Sequence, residues 1–274
     1  MLRLAVRVRA EEAELVLAEL LELAPSGVEE VELDGMVEYA VYGVAGELPE
    51  LPDLTAAAGG ALIEVSSREV PDDWEQRWRE FHRPLVLGDR LTVRPPWEPR
   101  GSSSIDVVID PGQAFGTGAH ATTRLCLELL LELAPAGELL DVGCGSGVLA
   151  IVAARLGFAP VRAVDNDPAS LAATLENAAV NGVELDVARH DLRRDPPAAA
   201  TTVTANLLRP LLLAWAGRLA MLPAERLPER VIASGLLVGE ADEVAAGFAC
   251  LGLVERGRRE RGEWAALHLA KLPR

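Results

Sequence analysis

Residues 139–167 read LLDVGCGSGVLAIVAARLGFAPVRAVDND, a succession of three parts. Leu139, Leu140, Asp141 and Val142 form a short strand of the kind buried on both faces. Gly143, Cys144, Gly145, Ser146 and Gly147 form a glycine-rich turn that opens the amphipathic run Val148 to Leu156. A second apolar strand, Val161 to Val164, follows and ends on Asp165. Strand, glycine turn, helix, strand and acid make a βαβ unit that cradles a nucleoside. Glycine permits positive φ and lets the backbone lie against a ligand with no Cβ between them. An acid at the tip of the second strand is placed to accept hydrogen bonds from both hydroxyls of a ribose. The bland reading is an ordinary α/β turn in which glycine only permits tight helix–strand packing.

The glycine spacing separates two kinds of nucleoside. The dinucleotide fingerprint G-x-G-x-x-G needs a third glycine five residues after the first. Here that place is held by Val148, and the third glycine is Gly147. A pyrophosphate also needs a free helix N-terminus aimed at it. S-adenosylmethionine has no phosphate and asks only that the loop approach its methionine part and ribose. The form D-x-G-x-G-x-G, led by Asp141, resembles motif I of the class I methyltransferases, and Asp165 lies 22 residues past Gly143. An NAD-dependent oxidoreductase fits this spacing poorly.

At 274 residues, half of them hydrophobic, the chain suits one large or two modest domains with a sizeable core. Its formal net charge of −16 argues against a nucleic-acid partner held mainly through phosphates. It accords with a basic protein partner or a small cationic ligand, and equally with plain solubility. Cys126, Cys144 and Cys250 lie far apart, with no C-x-x-C pair, no disulfide framework and no zinc spacing. The N-terminus has no signal-peptide core, and no uncharged apolar run reaches membrane-spanning length. A cytoplasmic protein with no membrane partner is expected; the oligomeric state is left open.

Ahead of the cradle, Leu2 to Arg9 alternates apolar and basic residues as a half-buried strand does. Glu11 to Leu23 has helical spacing and is stopped by Pro25 and Gly27. Val28 to Leu33 and Met36 to Tyr42 read as strands joined by an Asp34-Gly35 hairpin turn. Pro49 to Gly60 reads as a loop or short helix and Ala61 to Ser67 as a strand. The order β-α-β-β-(α)-β predicts a small α+β ferredoxin-like domain over residues 1–70. Residues 71–100 form a connector with a helix, in which Trp74, Trp78 and Phe81 share one face. That stripe either packs the connector onto a domain or greets a partner. The catalytic domain is expected over 101–274.

Within it, Ile105 to Ile109 is a strand that delivers DPGQAFGTGAHATTRLCLELL, residues 110–130. Its glycines exclude regular structure until Thr122 or Thr123 opens a helix. A glycine-rich loop ending at a helix N-terminus offers N–H groups and hydroxyls suited to a ligand carboxylate. His120 is either a base or a structural loop residue. After Asp165 comes a helix with Pro168 near its start and Gly182 just past its end. Further strands end at Asp191, Asn206 and Ser234. Asp191 either accepts from an adenine amino group or lies in a surface turn. Leu251 to Glu255 and Trp264 to Ala270 flank RGRRERGE as a terminal antiparallel hairpin with a basic, solvated turn. The predicted class is α/β: a Rossmann-like class I methyltransferase sheet closed by that hairpin.

With these pieces in place, the chain resembles the bacterial PrmA-type methyltransferases that modify the eleventh large-subunit ribosomal protein. DDWEQRWREFHRPLVLGDRL, IDPGQAFGTGAHATTRLCLELL, LDVGCGSGVLAIVAARLG, VDNDPASLAATLENAAVNGV, TANLL and IASGLL carry the resemblance, over most of residues 70–240. Ala119 and Ala121 stand where that family often has Thr and Pro. The resemblance implies an N-terminal substrate-recognition domain, a flexible connector and a catalytic domain. It implies transfer of methyl groups from S-adenosylmethionine to lysine side chains and the α-amino group of that ribosomal protein. It implies cofactor contacts from Thr123, Gly143, Asp165 and Asn206, with Phe115, Thr117 and Gly145 close by. Asn206 is the candidate for orienting the amine; its other reading is a cap on the helix that follows. An amine of another protein or of a small molecule is the alternative substrate.

Overall fold

In the computed structural model, residues 2–10, 13, 16, 20, 28–33, 35–43, 62–69, 83–110 and 120–272 are described. The chain divides into two compact units, residues 1–81 and 82–274.

In the first unit, β1 (Leu2–Arg9), β2 (Glu29–Leu33), β3 (Met36–Gly43) and β4 (Leu62–Glu69) form an antiparallel sheet of order β2-β3-β1-β4. Leu33 pairs with Met36, so the turn between β2 and β3 holds two residues, with Gly35 at φ +72°. The alternation of β1 sorts its side chains by face. Leu4, Val6 and Val8 pack with Val37, Tyr39 and Val41 and with helical Ala13, Val16 and Leu20. The opposite face carries an ion-pair ladder. Arg3 Nη2 and Arg7 Nε donate to the two oxygens of Glu38 at 2.5 and 2.6 Å, and Arg7 Nη1 reaches Glu64 at 2.7 Å. Burial alone would raise the Glu38 carboxyl, but the two guanidinium groups hold it below its usual value. The segment Pro49 to Gly60 and the aromatic stripe Trp74, Trp78 and Phe81 lie outside the described residues.

The second unit begins earlier than the sequence reading placed it. β5 (Leu85–Leu87) and β6 (Leu91–Arg94) form a three-stranded sheet with β7 (Ile105–Val108), in the order β5-β6-β7. Arg94 grips Asp106 through Nε and Nη2 at 2.9–3.1 Å. Residues 83–100 therefore fall within the second unit. Three-residue β5 lies between Pro84 and a turn, too short to show a period.

The remaining elements form a seven-stranded sheet with helices on both faces. Its strands are β8 (Leu139–Val142), β9 (Val161–Asp165), β10 (Asp186–Arg189), β11 (Thr202–Asn206), β12 (Arg230–Leu237), β13 (Leu253–Arg261) and β14 (Trp264–Lys271). Their order is β10-β9-β8-β11-β12-β14-β13, with β14 antiparallel to both neighbours and the other pairs parallel. Helices α1 (Ala121–Glu132), α2 (Val148–Leu156) and α3 (Pro168–Val180) contribute to one core, with Leu139, Ala163 and Ile232. Helices α4 (Arg209–Leu219) and α5 (Ala241–Ala249) bury Leu212, Trp215, Val244 and Phe248 in the other, with Leu140, Val203 and Val231. Neighbours Leu139 and Leu140 thus serve opposite layers, which is why these strands read as unbroken apolar runs. The chain leaves β8 toward β9 on one side and returns as β11 on the other. Such a switch point opens a crevice at the carboxyl ends of the strands.

One further expectation is corrected. Arg256, Arg258, Arg259 and Arg261 do not form a solvated turn; they lie in β13, which runs to Arg261. Arg258 pairs with Glu255 and Asp242, and Arg259 with Glu132. β13 is an edge strand, and a charged row there discourages pairing with another chain.

Candidate active site

The cradle is built by backbone geometry. After β8, the N–H groups of Gly143 and Cys144 both donate to Val164 O, at 2.8 and 3.1 Å, tying the loop to the end of β9. Gly143, Gly145 and Gly147 all have positive φ, at 72°, 53° and 80°. At Gly143 the positive φ is what calls for glycine; an added Cβ would meet only the end of the Leu207 side chain, which can move aside. Asp165 is oriented by the loop it faces: Oδ2 accepts from Gly145 N at 3.0 Å and Oδ1 from Asp167 N at 3.1 Å. Each oxygen keeps a further lone pair for a ligand. Gly143, Gly145, Asp165, His190, Asp191 and Leu207 line a cavity of about 370 Å³ at the carboxyl ends of β8, β9 and β10. This glycine floor and acidic wall fit the ribose and methionine part of S-adenosylmethionine.

Next to β8, strand β11 meets α1. Asn206 ends β11, and its Nδ2 lies 3.5 Å from Thr123 Oγ1, 83 residues away in sequence. Asn206 does not cap the next helix; that position is Leu208, which makes no side-chain cap bond. His120 is the N-cap of α1: its Nδ1 accepts from Thr122 N at 3.3 Å and contacts Thr122 Oγ1 at 2.7 Å. Burial lowers its basicity, and its ring meets Trp264 edge-on at 4.9 Å. Its role is to hold the start of α1, where buried Thr123 is presented. Phe115 and Thr117 lie outside the described residues.

Asp191 lines the cavity, with Oδ1 accepting from Arg193 N at 2.9 Å. Asp141 does not line it. It is 1% exposed, takes the Thr204 hydroxyl on Oδ1 at 2.6 Å, and is pushed up to about 7 by burial.

Sequence reasoning passed over one residue here. β12 shifts register between Ser234 and Leu236, and Gly235 sits in the bulge at φ +83°. A Cβ on Gly235 would lie 2.6 Å from Leu207 O and 2.7 Å from Leu207 C. The absent side chain lets the backbone after Asn206 lie against β12, where Leu207 N donates to Ser234 O at 2.9 Å. The signal was present as the G of IASGLL, an isolated glycine inside a strand pattern.

Comparison with known proteins agrees with this geometry. The sequence matches the family described as "Ribosomal protein L11 methyltransferase (PrmA)" over residues 4–272. It is 42% identical to the ribosomal protein L11 methyltransferase of Geobacter metallireducens over 199 residues, covering 72% of this chain and 65% of that one. The enzyme of the same name from Geobacter sulfurreducens is 38% identical over 251 residues, covering 88% and 83%. Among solved structures, the ribosomal protein L11 methylase of Lactobacillus delbrueckii subsp. bulgaricus superposes with a TM-score of 0.59 at 29% identity, covering 69% of this chain and 99% of that one. With a family match that spans nearly the whole chain and relatives of about 40% identity, the chain belongs to the ribosomal protein L11 methyltransferase (PrmA) family.

Proposed function

We propose that the protein transfers methyl groups from S-adenosylmethionine to lysine side chains and the α-amino group of the eleventh large-subunit ribosomal protein. The observation that carries this reading is the cradle of Gly143, Gly145 and Asp165, supported by the Asn206–Thr123 contact at the end of β11, the strand next to β8. When bound, the cofactor supplies an electrophilic methyl on a positively charged sulfur whose leaving form is neutral. Asp165 and the glycine loop hold the ribose and methionine part, and Thr123 at the start of α1 closes the far side. Asp191, beside Leu192 and His190, has the position to accept from the adenine amino group.

What this chain must do for the amine is remove its proton and aim its lone pair. A lysine has a reference pKa near 10.4, so the neutral form at pH 7 costs about 4–5 kcal/mol. A slot that excludes water and lies beside a positive charge lowers that cost, and the proton passes to solvent. Asn206 Oδ1 then accepts one N–H of the amine and turns the lone pair toward the methyl group, a positioning effect that supplies several kcal/mol.

The first unit is the docking domain of this proposal. Its antiparallel order β2-β3-β1-β4, with helical residues packed on one face, supports a ferredoxin-like fold. The pairing of β13 with β14 supports the terminal hairpin that closes the catalytic sheet. A net charge of −16 suits a lysine-rich protein partner, acting within about 10 Å at ordinary salt, and disfavours direct contact with nucleic acid. Among the described residues no helix is long and apolar enough to cross a membrane, and a ribosomal substrate supports the reading of a cytoplasmic enzyme.

The test is transfer of labelled methyl from S-adenosylmethionine into total ribosomal protein, with mass spectrometry of the labelled species. Label in the eleventh large-subunit protein, on lysine and N-terminal nitrogen, is the expected result. Label only elsewhere would redirect the activity to another protein or a small amine.

A further inference from the structure

Asp141 leads the cradle yet takes no part in its wall. Its Oδ2 is buried with no hydrogen-bond partner within normal distance, and its Oδ1 accepts the Thr204 hydroxyl. The groups that face it come from every element around it: Cys126 from α1, Cys144 from the loop, the Ala150 N–H from α2, Thr204 from β11 and the carboxylate of Asp165 from β9. None is a cation, and among the described residues no ion pair reaches Asp141. A buried carboxylate without a counter-charge is costly to ionise. Burial raises Asp141 to about 7, Thr204 pulls against that rise, and the charge of Asp165 adds to it. Both buried thiols are raised as well, first by burial and then by the charge on Asp141.

The cavity two residues away is, on the reading above, the seat of a cation. The cofactor carries a sulfonium charge before transfer, and the thioether product does not. We propose that Asp141 releases its proton to solvent when the sulfonium cofactor binds and regains one when the neutral product remains. It thereby acts as a positioning charge that favours cofactor over product. The inference rests on the methyltransferase reading and adds to it a role for an acid that touches no ligand.

The sign follows from linkage. In the free protein the carboxyl is held above the usual carboxylate range; beside a bound cation it falls. Cofactor affinity therefore rises with pH through the region near 7 and levels off above it, by at most about tenfold per pH unit. Product affinity follows pH less. His190 lines the same cavity and His120 caps α1, so both belong to the background that a variant must subtract.

The experiment is calorimetric titration of the full chain with S-adenosylmethionine and with S-adenosylhomocysteine at pH 7, in buffers of different ionisation heat. It is repeated on Asp141→Asn and Thr204→Val. Expected for the natural sequence is release of several tenths of a proton with the sulfonium form and clearly less with the thioether. Asp141→Asn should abolish that difference and flatten the cofactor-to-product preference between pH 6 and 8. Thr204→Val removes the hydroxyl that favours the ionised form and should move the window to higher pH, which keeps the test open where Asp141→Asn does not fold. The ligands' own amines add the same count to each protein, so the change between proteins belongs to Asp141. Equal proton release by both ligands overturns the inference. So does a difference that survives in Asp141→Asn, or a window that Thr204→Val leaves in place. No binding of either ligand by the natural sequence overturns the methyltransferase reading along with it.

Discussion

The seven-stranded sheet has a cavity at each end of its strands, and the larger one is not the one that the glycine loop lines. At the amino ends a space of about 760 Å³ is lined by Glu138, Thr201, Glu225, Arg226, Arg230 and Lys271. At the carboxyl ends the cradle encloses about 370 Å³. The larger space sits where strands begin, its Lys271 and Arg230 are taken up by backbone carbonyls and Glu138 accepts from Thr201 N, and no glycine lines it. Lys271 Nζ donates to Ala224 O and Leu227 O, and Arg230 to Ala134 O and Ala136 O. The smaller one is bounded by glycines held at positive φ, by an acid aligned by its own loop, and by groups brought together across the chain. Volume records where elements fail to meet, whereas chemistry needs convergent polar groups at the switch point.

The contrast can be broken by substitution at either end. The largest effect is expected at Gly235→Ala, because its Cβ would strike the Leu207 backbone at 2.6 Å and no rotamer relieves that. Displacing Asn206 by about 1 Å should cut methyl transfer on the order of 10²-fold, read as kcat on the ribosomal protein; retention of full activity would show that β12 tolerates the shift. Next comes Asn206→Ala, expected to lower kcat roughly tenfold to a hundredfold with a smaller change in cofactor affinity. A fall in affinity equal to the fall in kcat would make Asn206 a cofactor contact alone. Asp165→Ala should weaken S-adenosylmethionine binding by about 1–3 kcal/mol, as for loss of a buried hydrogen-bonded group, and calorimetry showing unchanged affinity would remove it from the site. Smallest, at the opposite end, Glu225→Ala should leave cofactor affinity within about 0.5 kcal/mol. A larger shift there would mean that the amino-end cavity communicates with the cradle.

The same contrast explains which parts could be read from the sequence. The inner strands β8 and β11 were readable because they are apolar on both faces and end at a glycine or Asn. The helix α3 was readable from Pro168 at its first position and Gly182 beyond its last, and Asp167 caps it. The meeting of Asn206 and Thr123 was not visible in spacing, since only the strand order brings β11 beside α1; the family resemblance alone paired them. β13 was misread because an edge strand gains little from apolar residues, and its arginines imitate a turn. Strand β5 was passed over because three residues cannot display a period. Gly235 was passed over because the fifth strand was read as ending at Ser234, which left the glycine of IASGLL outside it.

That bulge has a consequence for how the family's chains can vary in length. Ahead of it, Val231 and Ala233 belong to one hydrophobic layer and Ile232 to the other; beyond it, Leu236 has joined the layer of Val231. The extra residue transposes the parity of the strand, and Leu236 then meets Ala265 of the same layer across β14. Removing one residue at this point would therefore not shorten β12. It would act as a frameshift written in packing, delivering each later side chain to the wrong side of the sheet, so insertions and deletions should be purged here more strictly than substitutions.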